Sequence, residues 1–545
     1  MMVTASHNPA EDNGCKIADP DGGMLAADWE ASAVELANAP SGDAANVARR
    51  ILRERCGIAD AASCPYAMVV HLGRDTRAHS APLAELAALA AGAMGARVVD
   101  HGVVTTPQLH HAVRHANPHR LPAICPVRPG EGGYLELVVR SYLTLLGTAD
   151  GPRGRASRVL TVDGACGVGH PKLHLVASAI KWAGGDRLGA VLLVPVNAPG
   201  DGPLNVGCGA EHVQKNRLPP LIYSGEGGGG RHVSTPYGAS VDGDADRVVF
   251  HYNAATGGAF RLLDGDKIAV LIVGFVMDEL RELRREGLGR NLRCGIVQTA
   301  YANGAATAYV AKVVRAEIAC AKTGVKYVHA AAHDRFDVGV YFEANGHGTV
   351  LFSPSFYRMI DAAEARLAAT VPQPWQSGRA GLALHRLRVL PSLVNQAVGD
   401  AISDVLLVDA ILYLKGWSIG DWDALYEDLP SRQCKVKVGD RSIIRTDESE
   451  ARAVAPPRLQ PALDSAMEAL DGRSRSGIPS GGGAVAPARS RCFVRPSGTE
   501  NAVRVYAEAS TQADADGLAS EAAALVHGLC GGVGRTPSGA VPSRL

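Results

Sequence analysis

Three aspartates separated by single residues, Asp242, Asp244 and Asp246, have the spacing in this chain that indicates chemistry most directly. At positions i, i+2 and i+4 they cannot share one face of a helix, but in a turn their oxygens can converge on one hard cation. The small Gly243 and Ala245 between them allow a tight turn. The run lacks the terminal glutamate of an EF-hand loop, and its few carboxylates and open positions favour Mg²⁺ with a phosphate ligand. A solvated acidic turn is the alternative interpretation.

A serine near the start of the chain, Ser6 in Thr4-Ala5-Ser6-His7-Asn8-Pro9, is the candidate nucleophile. A phosphate on Ser6 would carry about two negative charges. Holding it would require a cation site, which the aspartate run could provide. His7, Lys16 and Arg247 are candidates for phosphate contact or proton transfer. The alternative is that Ser6 only caps a helix.

A candidate anion-binding motif is Arg495-Pro496-Ser497-Gly498-Thr499, followed by Arg504. The backbone amides of Ser497, Gly498 and Thr499 can form an anion nest while the guanidinium binds a phosphate through two hydrogen bonds. This predicts a phosphate clamp. A surface Arg-Pro turn is the alternative.

The motif Glu343-Ala344-Asn345-Gly346-His347-Gly348 combines a carboxylate and an amide with two glycines. The two polar side chains can pair with vicinal hydroxyls of a sugar, and the glycines permit close approach. An ordinary strand-to-turn junction is the alternative. Lys322 and His329 are further candidates for proton transfer, although a lone lysine or histidine is more often structural or solvated.

The elements that must position these groups alternate along the chain. A strand at Ala67 to His71 precedes a helical stretch at Ser80 to Gly95 and a second strand at Arg97 to Val104. The same alternation returns twice before residue 315. From about Arg386 the pattern changes to helices, short strands and a final helix at Ala513 to Gly528. The sequence therefore predicts serial α/β units and a smaller α+β domain.

Composition limits the classes of partner. At 545 residues the chain is too long for a single core. Lys+Arg and Asp+Glu number 55 each, so no net field attracts nucleic acid or a membrane surface. Eleven cysteines without a metal-ligand spacing predict neither a disulfide framework nor a zinc site, and fit a cytoplasmic protein. A small-molecule partner is expected, and the oligomeric state is left open.

The motifs occur in the order found in the α-D-phosphohexomutase superfamily, and the chain resembles its phosphoacetylglucosamine mutase family from residue 1 to about Gly534. The run from Tyr341 to Gly348 is the part that resembles the acetylglucosamine branch. Further similar segments are Gly73-Arg74-Asp75-Thr76-Arg77, Thr105-Thr106-Pro107-Gln108-Leu109, Gln298-Thr299-Ala300-Tyr301-Ala302-Asn303-Gly304, Lys322-Thr323-Gly324-Val325-Lys326 and Gly399-Asp400-Ala401-Ile402-Ser403-Asp404.

The resemblance implies an α/β fold with four domains: three related mixed α/β domains and a C-terminal α+β phosphate-binding domain. The expected domains are residues 1–150 with the phosphoserine loop, 151–262 with the metal-binding loop, 263–385 with the sugar-binding loop and 386–540 with the phosphate-binding loop.

By the same resemblance, Ser6 would carry the phosphoryl group and share one Mg²⁺ per chain with Asp242, Asp244 and Asp246. The substrate would be bound by Glu343, Ala344, Asn345, Arg495, Pro496, Ser497, Gly498, Thr499 and Arg504. The implied reaction interconverts N-acetylglucosamine 6-phosphate and N-acetylglucosamine 1-phosphate for UDP-N-acetylglucosamine synthesis. A hexose 1,6-bisphosphate would be the intermediate and would prime Ser6.

One departure from the family keeps other functions open. Family members carry a segment before the serine loop, whereas this sequence begins at Met1. Domain 1 is therefore expected to be incomplete at its N-terminus, with Ser6 insecurely placed near a free end. This leaves open a truncated sugar-phosphate-binding protein without turnover. Within the same enzyme class, the alternative is a phosphoglucomutase or phosphomannomutase.

Overall fold

The computed structural model describes residues 1–58, 68–117, 127–149, 158–223, 230–232, 235–253, 258–369, 378–476, 490–498 and 500–534. The chain divides into two compact units. Unit 1 comprises Met1–Ile268, Asp278–Leu292 and Asn345–Ile419, and unit 2 comprises Ala269–Met277, Arg293–Ala344 and Gly420–Leu545. Among the described helices, none is both long and apolar enough to span a bilayer.

Unit 1 opens with a four-stranded sheet. Its elements are β1 (Met2–Val3), β2 (Cys15–Lys16), α1 (Glu30–Asn38), α2 (Ala44–Cys56), β3 (Val69–Arg74), α3 (Ser80–Ala93), β4 (Arg97–Val103), α4 (Thr106–Ala116) and α5 (Glu131–Leu146). The strand order is β2-β1-β3-β4. Because β1 pairs with a strand on each side, Met2 is fully buried. The residues that lead to Ser6 are thus held within a sheet. This differs from the expectation that Ser6 would be insecurely placed near a free end.

A five-stranded sheet follows in the same unit. The next elements are β5 (Val159–Asp163), α6 (Gly169–Trp182), β6 (Leu192–Val196), α7 (Ala210–Asn216), β7 (Leu221–Ile222), β8 (Arg231–His232), β9 (Gly238–Val241), β10 (Val248–Asn253) and β11 (Phe260–Leu263). The strand order is β11-β10-β9-β5-β6. Strands β9 and β10 are antiparallel, and Val241 pairs with Val248. The three aspartates therefore lie in the turn of a buried hairpin.

The middle of the chain contributes to both units. Its elements are α8 (Gly265–Arg285), β12 (Cys294–Gln298), α9 (Gly304–Tyr309), β13 (Glu317–Cys320), α10 (Val325–Arg335), β14 (Val338–Phe342), β15 (Gly348–Phe352), α11 (Pro354–Ala368), α12 (Gly378–Leu393) and α13 (Ala401–Lys415). Strand β12 is parallel to both β13 and β14. Every residue of β12 and β14 is buried, as expected of parallel strands covered on both faces.

The C-terminal part of unit 2 is an antiparallel sheet covered by helices. Its elements are α14 (Ile419–Asp423), β16 (Ser431–Lys437), β17 (Arg445–Thr446), β18 (Ala453–Ala455), α15 (Leu459–Ser476), β19 (Arg491–Pro496), β20 (Ala502–Glu508) and α16 (Gln512–Leu529). The main sheet has the order β16-β20-β19. Apolar residues of these strands and of α15 and α16 form one core cluster, which includes Val494, Val505, Leu463 and Val526.

Most of the predicted elements are present with shifted ends. The predicted strand at Ala67 to His71 is observed as Val69–Arg74. Ala67, the first residue of the predicted strand, lies outside the described part of the chain. Helix α9 is followed by a π-helical turn at Val310–Val314. The boundaries of the four predicted domains remain a prediction.

Candidate active site

Ser6 is buried, with 5% of its surface exposed, and its backbone has φ +53°. It lies in a turn and caps no helix, so the helix-cap interpretation is wrong. Its Oγ donates to Oδ2 of Asp242 at 2.7 Å, and its amide donates to Oγ1 of Thr4 at 3.0 Å. Its carbonyl accepts from Arg77 at 3.2 Å and from Asn205 at 2.9 Å. The hydroxyl is therefore held in a left-handed turn that these contacts stabilise.

A buried ion pair, Asp75 with Arg77, supports this turn. Both side chains are fully buried. The Asp75 carboxylate also accepts from Thr4 Oγ1 at 2.7 Å and from Ser80 Oγ at 2.6 Å, while Arg77 donates to the carbonyl of Asn8 at 2.7 Å. The pair belongs to the segment Gly73-Arg74-Asp75-Thr76-Arg77, whose role the sequence alone does not indicate. In the structure it fixes the backbone on both sides of Ser6.

The three aspartates form a buried cluster, and one ligand oxygen from each lies within 4.8 Å of the others. Asp242 Oδ1 stabilises the turn by accepting the amides of Asp246 at 3.1 Å and Arg247 at 3.3 Å. Asp244 Oδ1 is buried and accepts no hydrogen bond from any described residue. Three converging carboxylates with an unused oxygen fit a hard divalent cation such as Mg²⁺.

Three helices direct their N-termini at this turn. The donor and acceptor pairs, each 3.1 Å apart, are Val168 N to Gly243 O, Thr106 N to Asp244 O and Ala401 N to Ala245 O. These amides lie at the starts of α6, α4 and α13. Since helix N-termini carry partial positive charge, they stabilise a concentration of negative charge. The fold thus compensates for burying the carboxylates.

Cationic side chains provide the remaining compensation. Lys16 Nζ lies 2.7 Å from Asp244 Oδ2 and 2.6 Å from Asp246 Oδ2. Burial alone would lower the pKa of Lys16, but these two carboxylates raise it. Burial would likewise raise the pKa of Asp246, yet Lys16, His347 and Arg247 together hold it well below its ordinary value. Burial and the other two carboxylates raise the pKa of Asp242.

The predicted proton-transfer candidates of unit 1 lie beside the same turn. His7 Nε2 is 3.6 Å from Glu211 Oε2, and its buried Nδ1 has no hydrogen-bond partner among the described residues. Burial, followed by the charge of Arg247, lowers the pKa of His7 to about 4, so its imidazole is neutral at pH 7. Arg247 Nε lies 3.7 Å from Asp246 Oδ1. Unit 1 therefore brings together the candidate nucleophile, the three aspartates and the three predicted phosphate-contact or proton-transfer residues of this unit.

Two glycines make this packing feasible. A Cβ on Gly243 would lie 2.6 Å from the carbonyl oxygen of Ser6. A Cβ on Gly346, which has φ +84°, would lie 1.9 Å from the carbonyl oxygen of Val248. Only glycine allows these close approaches. The predicted sugar-binding motif contributes Asn345 to unit 1, where its Oδ1 accepts the amide of His347 at 2.9 Å.

Unit 2 contains the predicted phosphate clamp. Arg495 on β19 pairs directly with Arg504 on β20, and Arg504 pairs with Lys435 on β16. Residues directly opposite each other on neighbouring strands share one face of the sheet. Three cations therefore form a row across three strands, which is unfavourable unless anions compensate. Lys435 could not be predicted from the sequence motifs, because only the strand register places it beside Arg504.

The predicted anion nest is wrong in one donor. The amide of Ser497 donates to the carbonyl of Ala502 at 2.8 Å and closes the hairpin. Gly498 is exposed, and Thr499 lies outside the described residues. Arg495 Nε forms an ion pair with Glu450 Oε2 at 2.8 Å. The Ser497 amide is therefore occupied within the hairpin, and the role of the motif as a phosphate clamp remains a prediction.

The other predicted groups of unit 2 lie around α10. Glu343 Oε1 accepts the amide of Gly324 at 3.0 Å, and Ala344 is the last residue of this segment of the unit. His329 Nδ1 lies 2.9 Å from the hydroxyl of Tyr341. Lys322 is exposed. The roles assigned to these residues remain predictions.

Three family models match separate stretches of the chain. The description "Phosphoglucomutase/phosphomannomutase, alpha/beta/alpha domain I" matches residues 1–41 and 53–124. "Phosphoacetylglucosamine mutase AMG1, domain III" matches residues 264–417, and "Phosphoglucomutase/phosphomannomutase, C-terminal domain" matches residues 435–525. These matches agree with the predicted multi-domain α/β architecture.

Relatives cover nearly the whole chain. The phosphoacetylglucosamine mutase of Sus scrofa is 40% identical over 544 residues, which is 98% of this chain and 89% of that protein. The crystal structure of Aspergillus fumigatus N-acetylphosphoglucosamine mutase in complex with GlcNAc-6P and magnesium is 39% identical. The match covers 97% of this chain and 88% of the fungal chain, with a TM-score of 0.80. A structure of the same fungal enzyme with glucose 1,6-bisphosphate has the same identity and coverage and a TM-score of 0.77.

These similarities confirm the predicted fold class, an α/β phosphohexomutase architecture, and the predicted enzyme class, an isomerase that moves a phosphoryl group within a sugar phosphate. They also confirm the predicted acetylglucosamine branch, since the relatives are mutases of N-acetylglucosamine phosphate. The chain belongs to the phosphoacetylglucosamine mutase family.

Proposed function

We propose that this chain interconverts N-acetylglucosamine 6-phosphate and N-acetylglucosamine 1-phosphate through a phosphoryl group carried on Ser6. The observation that carries the proposal is the 2.7 Å hydrogen bond from the buried Ser6 hydroxyl to Asp242 in a turn of three buried carboxylates. A hydroxyl held beside a site for a divalent cation can receive and return a phosphoryl group. Family membership supports the choice of sugar.

The metal site would consist of Asp242, Asp244 and Asp246, completed by an oxygen on Ser6, with one Mg²⁺ per chain. Support comes from the convergence of the carboxylate oxygens and from the unused Oδ1 of Asp244. When bound, the cation would neutralise negative charge on the phosphoryl oxygens, which is the main requirement of phosphoryl-transfer catalysis.

The reaction requires two transfers. In the first, the bond from phosphorus to Ser6 Oγ breaks while a bond to the free sugar hydroxyl forms, and that hydroxyl loses its proton to a base. In the second, the bond from the other phosphorus of the resulting 1,6-bisphosphate to its sugar oxygen breaks while a bond to Ser6 Oγ forms, and the released sugar oxygen gains a proton. The neutral His7 is a candidate for proton transfer, and Lys16 and Arg247 are candidates for contacting the phosphoryl oxygens.

Substrate recognition would fall to three groups of residues. Arg495 and Arg504, together with the turn from Pro496 to Thr499, would bind the phosphate that does not react. The row of three cations across β16, β20 and β19 supports this assignment. Glu343, Ala344 and Asn345 would contact the sugar. Lys322 and His329 are further candidates for contact or proton transfer.

The expected setting is a cytoplasmic enzyme of UDP-N-acetylglucosamine synthesis, with a small sugar phosphate as its partner and neither nucleic acid nor membrane. The balanced charge of the chain supports the exclusion of polyanionic surfaces.

A coupled assay tests the proposal. The purified chain is supplied with Mg²⁺, a trace of hexose 1,6-bisphosphate and N-acetylglucosamine 6-phosphate, and formation of the 1-phosphate is followed. Turnover is expected, with glucose 6-phosphate and mannose 6-phosphate reacting more slowly. Faster turnover of either of those sugars would favour the phosphoglucomutase or phosphomannomutase alternative. Binding of the substrate without turnover would favour the non-catalytic alternative.

A further inference from the structure

We infer that Glu450 is a positioning residue for substrate phosphate, and that it couples the phosphate-binding Arg495 to the sugar-binding Glu343. The inference rests on the proposed function. Neither the sequence motifs nor the comparisons with relatives give Glu450 a role. The evidence lies entirely within unit 2.

Glu450 contacts two separate loops through one oxygen. Its Oε2 lies 2.8 Å from Nε of Arg495 and accepts the amide of Thr323 at 3.0 Å. The side chain is only 15% exposed, and that of Arg495 is 21% exposed. At this burial the ion pair is weakly screened, so it restricts the rotamers of a long and flexible arginine.

The turn that carries Glu450 is built to hold it in place. Glu450 has φ +59°, an unfavourable conformation for a residue other than glycine. Its amide donates to the carbonyl of Asp447 at 3.1 Å, and the Asp447 carboxylate accepts the amide of Ala451 at 3.1 Å and the hydroxyl of Ser449 at 2.9 Å. Such strain persists only where surrounding contacts over-determine the conformation. Here those contacts fix the direction of the carboxylate.

The contacts continue from Glu450 to the predicted sugar-binding residue. Thr323 and Gly324 are consecutive, and the amide of Gly324 donates to Glu343 Oε1 at 3.0 Å. One short backbone segment therefore joins two carboxylates: Glu343, which would bind sugar hydroxyls, and Glu450, which orients the arginine for phosphate. A shift of either loop would change the spacing between the two predicted contacts.

Positioning and charge repulsion make opposite predictions. If Glu450 pre-orients Arg495, removing its charge frees the arginine and weakens phosphate binding. If Glu450 mainly competes with phosphate for Arg495, removing its charge strengthens binding. Immobilising one rotamer-rich side chain on binding has an entropic cost, so positioning predicts a loss of affinity of roughly fivefold when Arg495 is freed.

The test uses the full chain with Mg²⁺ and measures the affinity for N-acetylglucosamine 6-phosphate by calorimetry. Glu450→Gln is expected to raise Kd roughly fivefold, and to raise KM similarly with kcat changed less than about twofold. Glu450→Asp keeps the charge but shortens the side chain, and it is also expected to weaken binding. Glu448→Gln is the matched control, because Glu448 is an exposed carboxylate on the same turn and should leave both constants unchanged.

A double-mutant cycle separates positioning from a general structural effect. In a chain that already carries Arg495→Ala, the additional change Glu450→Gln should alter Kd by less than about twofold, because contacting residues are not additive. Equal or tighter binding by Glu450→Gln would overturn the inference, as would an undiminished effect in the Arg495→Ala chain. Turnover tests the proposed function and affinity tests Glu450, so the two can fail separately.

Discussion

The Ser6 turn of unit 1 and the Arg495 turn of unit 2 both handle phosphate in the proposed mechanism, yet they are constructed differently. Around Ser6 the key groups are buried, and Asp242 and Asp244 are 0% exposed. Around Arg495 the cations are partly exposed, with 21% of the Arg495 side chain and 29% of the Lys435 side chain accessible. The first turn is held by side chains from several distant segments, whereas the second combines neighbouring strands of one sheet with a contact from the turn that carries Glu450.

The difference in burial between the two turns matches a difference in their need for electrostatic preorganisation. Charges in a water-poor site interact strongly and need little reorganisation during reaction, which suits the transferring phosphoryl group. A phosphate that is only bound undergoes no such change of charge, so partly exposed cations on a sheet are sufficient for it. We therefore expect changes in the first region to affect turnover or stability and changes in the second region to affect affinity.

The largest expected effect is that of Ser6→Ala. Removing the nucleophile should lower turnover by at least about a thousandfold. Affinity for N-acetylglucosamine 6-phosphate should change by less than about threefold, since the predicted binding groups remain. Coupled kinetics and calorimetry measure the two quantities. Weakened binding with intact turnover would reverse the comparison between the regions.

The buried Arg77 should be essential for stability rather than for affinity. Arg77→Ala leaves Asp75 buried without its cation and removes two contacts to the Ser6 loop. Breaking a buried ion pair in this way costs about 3–5 kcal/mol. Chemical denaturation should therefore show a strongly destabilised unit 1. Arg458→Ala, at an exposed arginine, is the control and should be neutral.

Asp244→Asn tests the aspartate turn. It removes one charge from the cluster and weakens the contact with Lys16. Turnover at saturating Mg²⁺ should fall by about a hundredfold to a thousandfold, the usual cost of losing an electrostatic contact to a transition state. Glu11→Gln, at an exposed carboxylate near Ser6, should have no effect. A mild loss of turnover in Asp244→Asn would mean that the cluster is only structural.

The smallest of these effects is expected for Arg495→Ala. Losing a charge-assisted contact to phosphate costs about 1.5–3 kcal/mol, which raises Kd by roughly tenfold to a hundredfold. The free energy of unfolding should fall less than in Arg77→Ala, because Arg495 and its partner Glu450 are partly exposed whereas Arg77 and Asp75 are fully buried. Calorimetry and denaturation compare it directly with Arg77→Ala. A large loss of stability without loss of affinity would abolish the distinction between the two arginines.

Much of this organisation was predictable from the sequence, because each motif is local. The run from Asp242 to Asp246 predicts a turn, and the following apolar residues predict the strand observed as β10. The segments that contain Thr105 and Asp400 resemble the family, but the sequence alone does not indicate what these residues do. Both prove to be helix N-caps, and the helices that they begin direct their N-termini at the aspartate turn.

What sequence reasoning missed depends on contacts between distant residues. Arg77 lies 71 positions after Ser6 and Asn205 lies 199 positions after it, yet both donate to its carbonyl. No periodicity or spacing indicates such a contact. Lys435 likewise joins Arg504 only through strand register, because β16 and β20 are separated by helix α15 and by several loops.

The most direct test of the central claim is to locate the phosphoryl group. The chain is incubated with Mg²⁺ and hexose 1,6-bisphosphate, digested and analysed by mass spectrometry. We expect one phosphoryl group, on the peptide that contains Ser6, and none in Ser6→Ala. A phosphoryl group on another residue, or turnover by wild-type protein in which Ser6 is never phosphorylated, would contradict it.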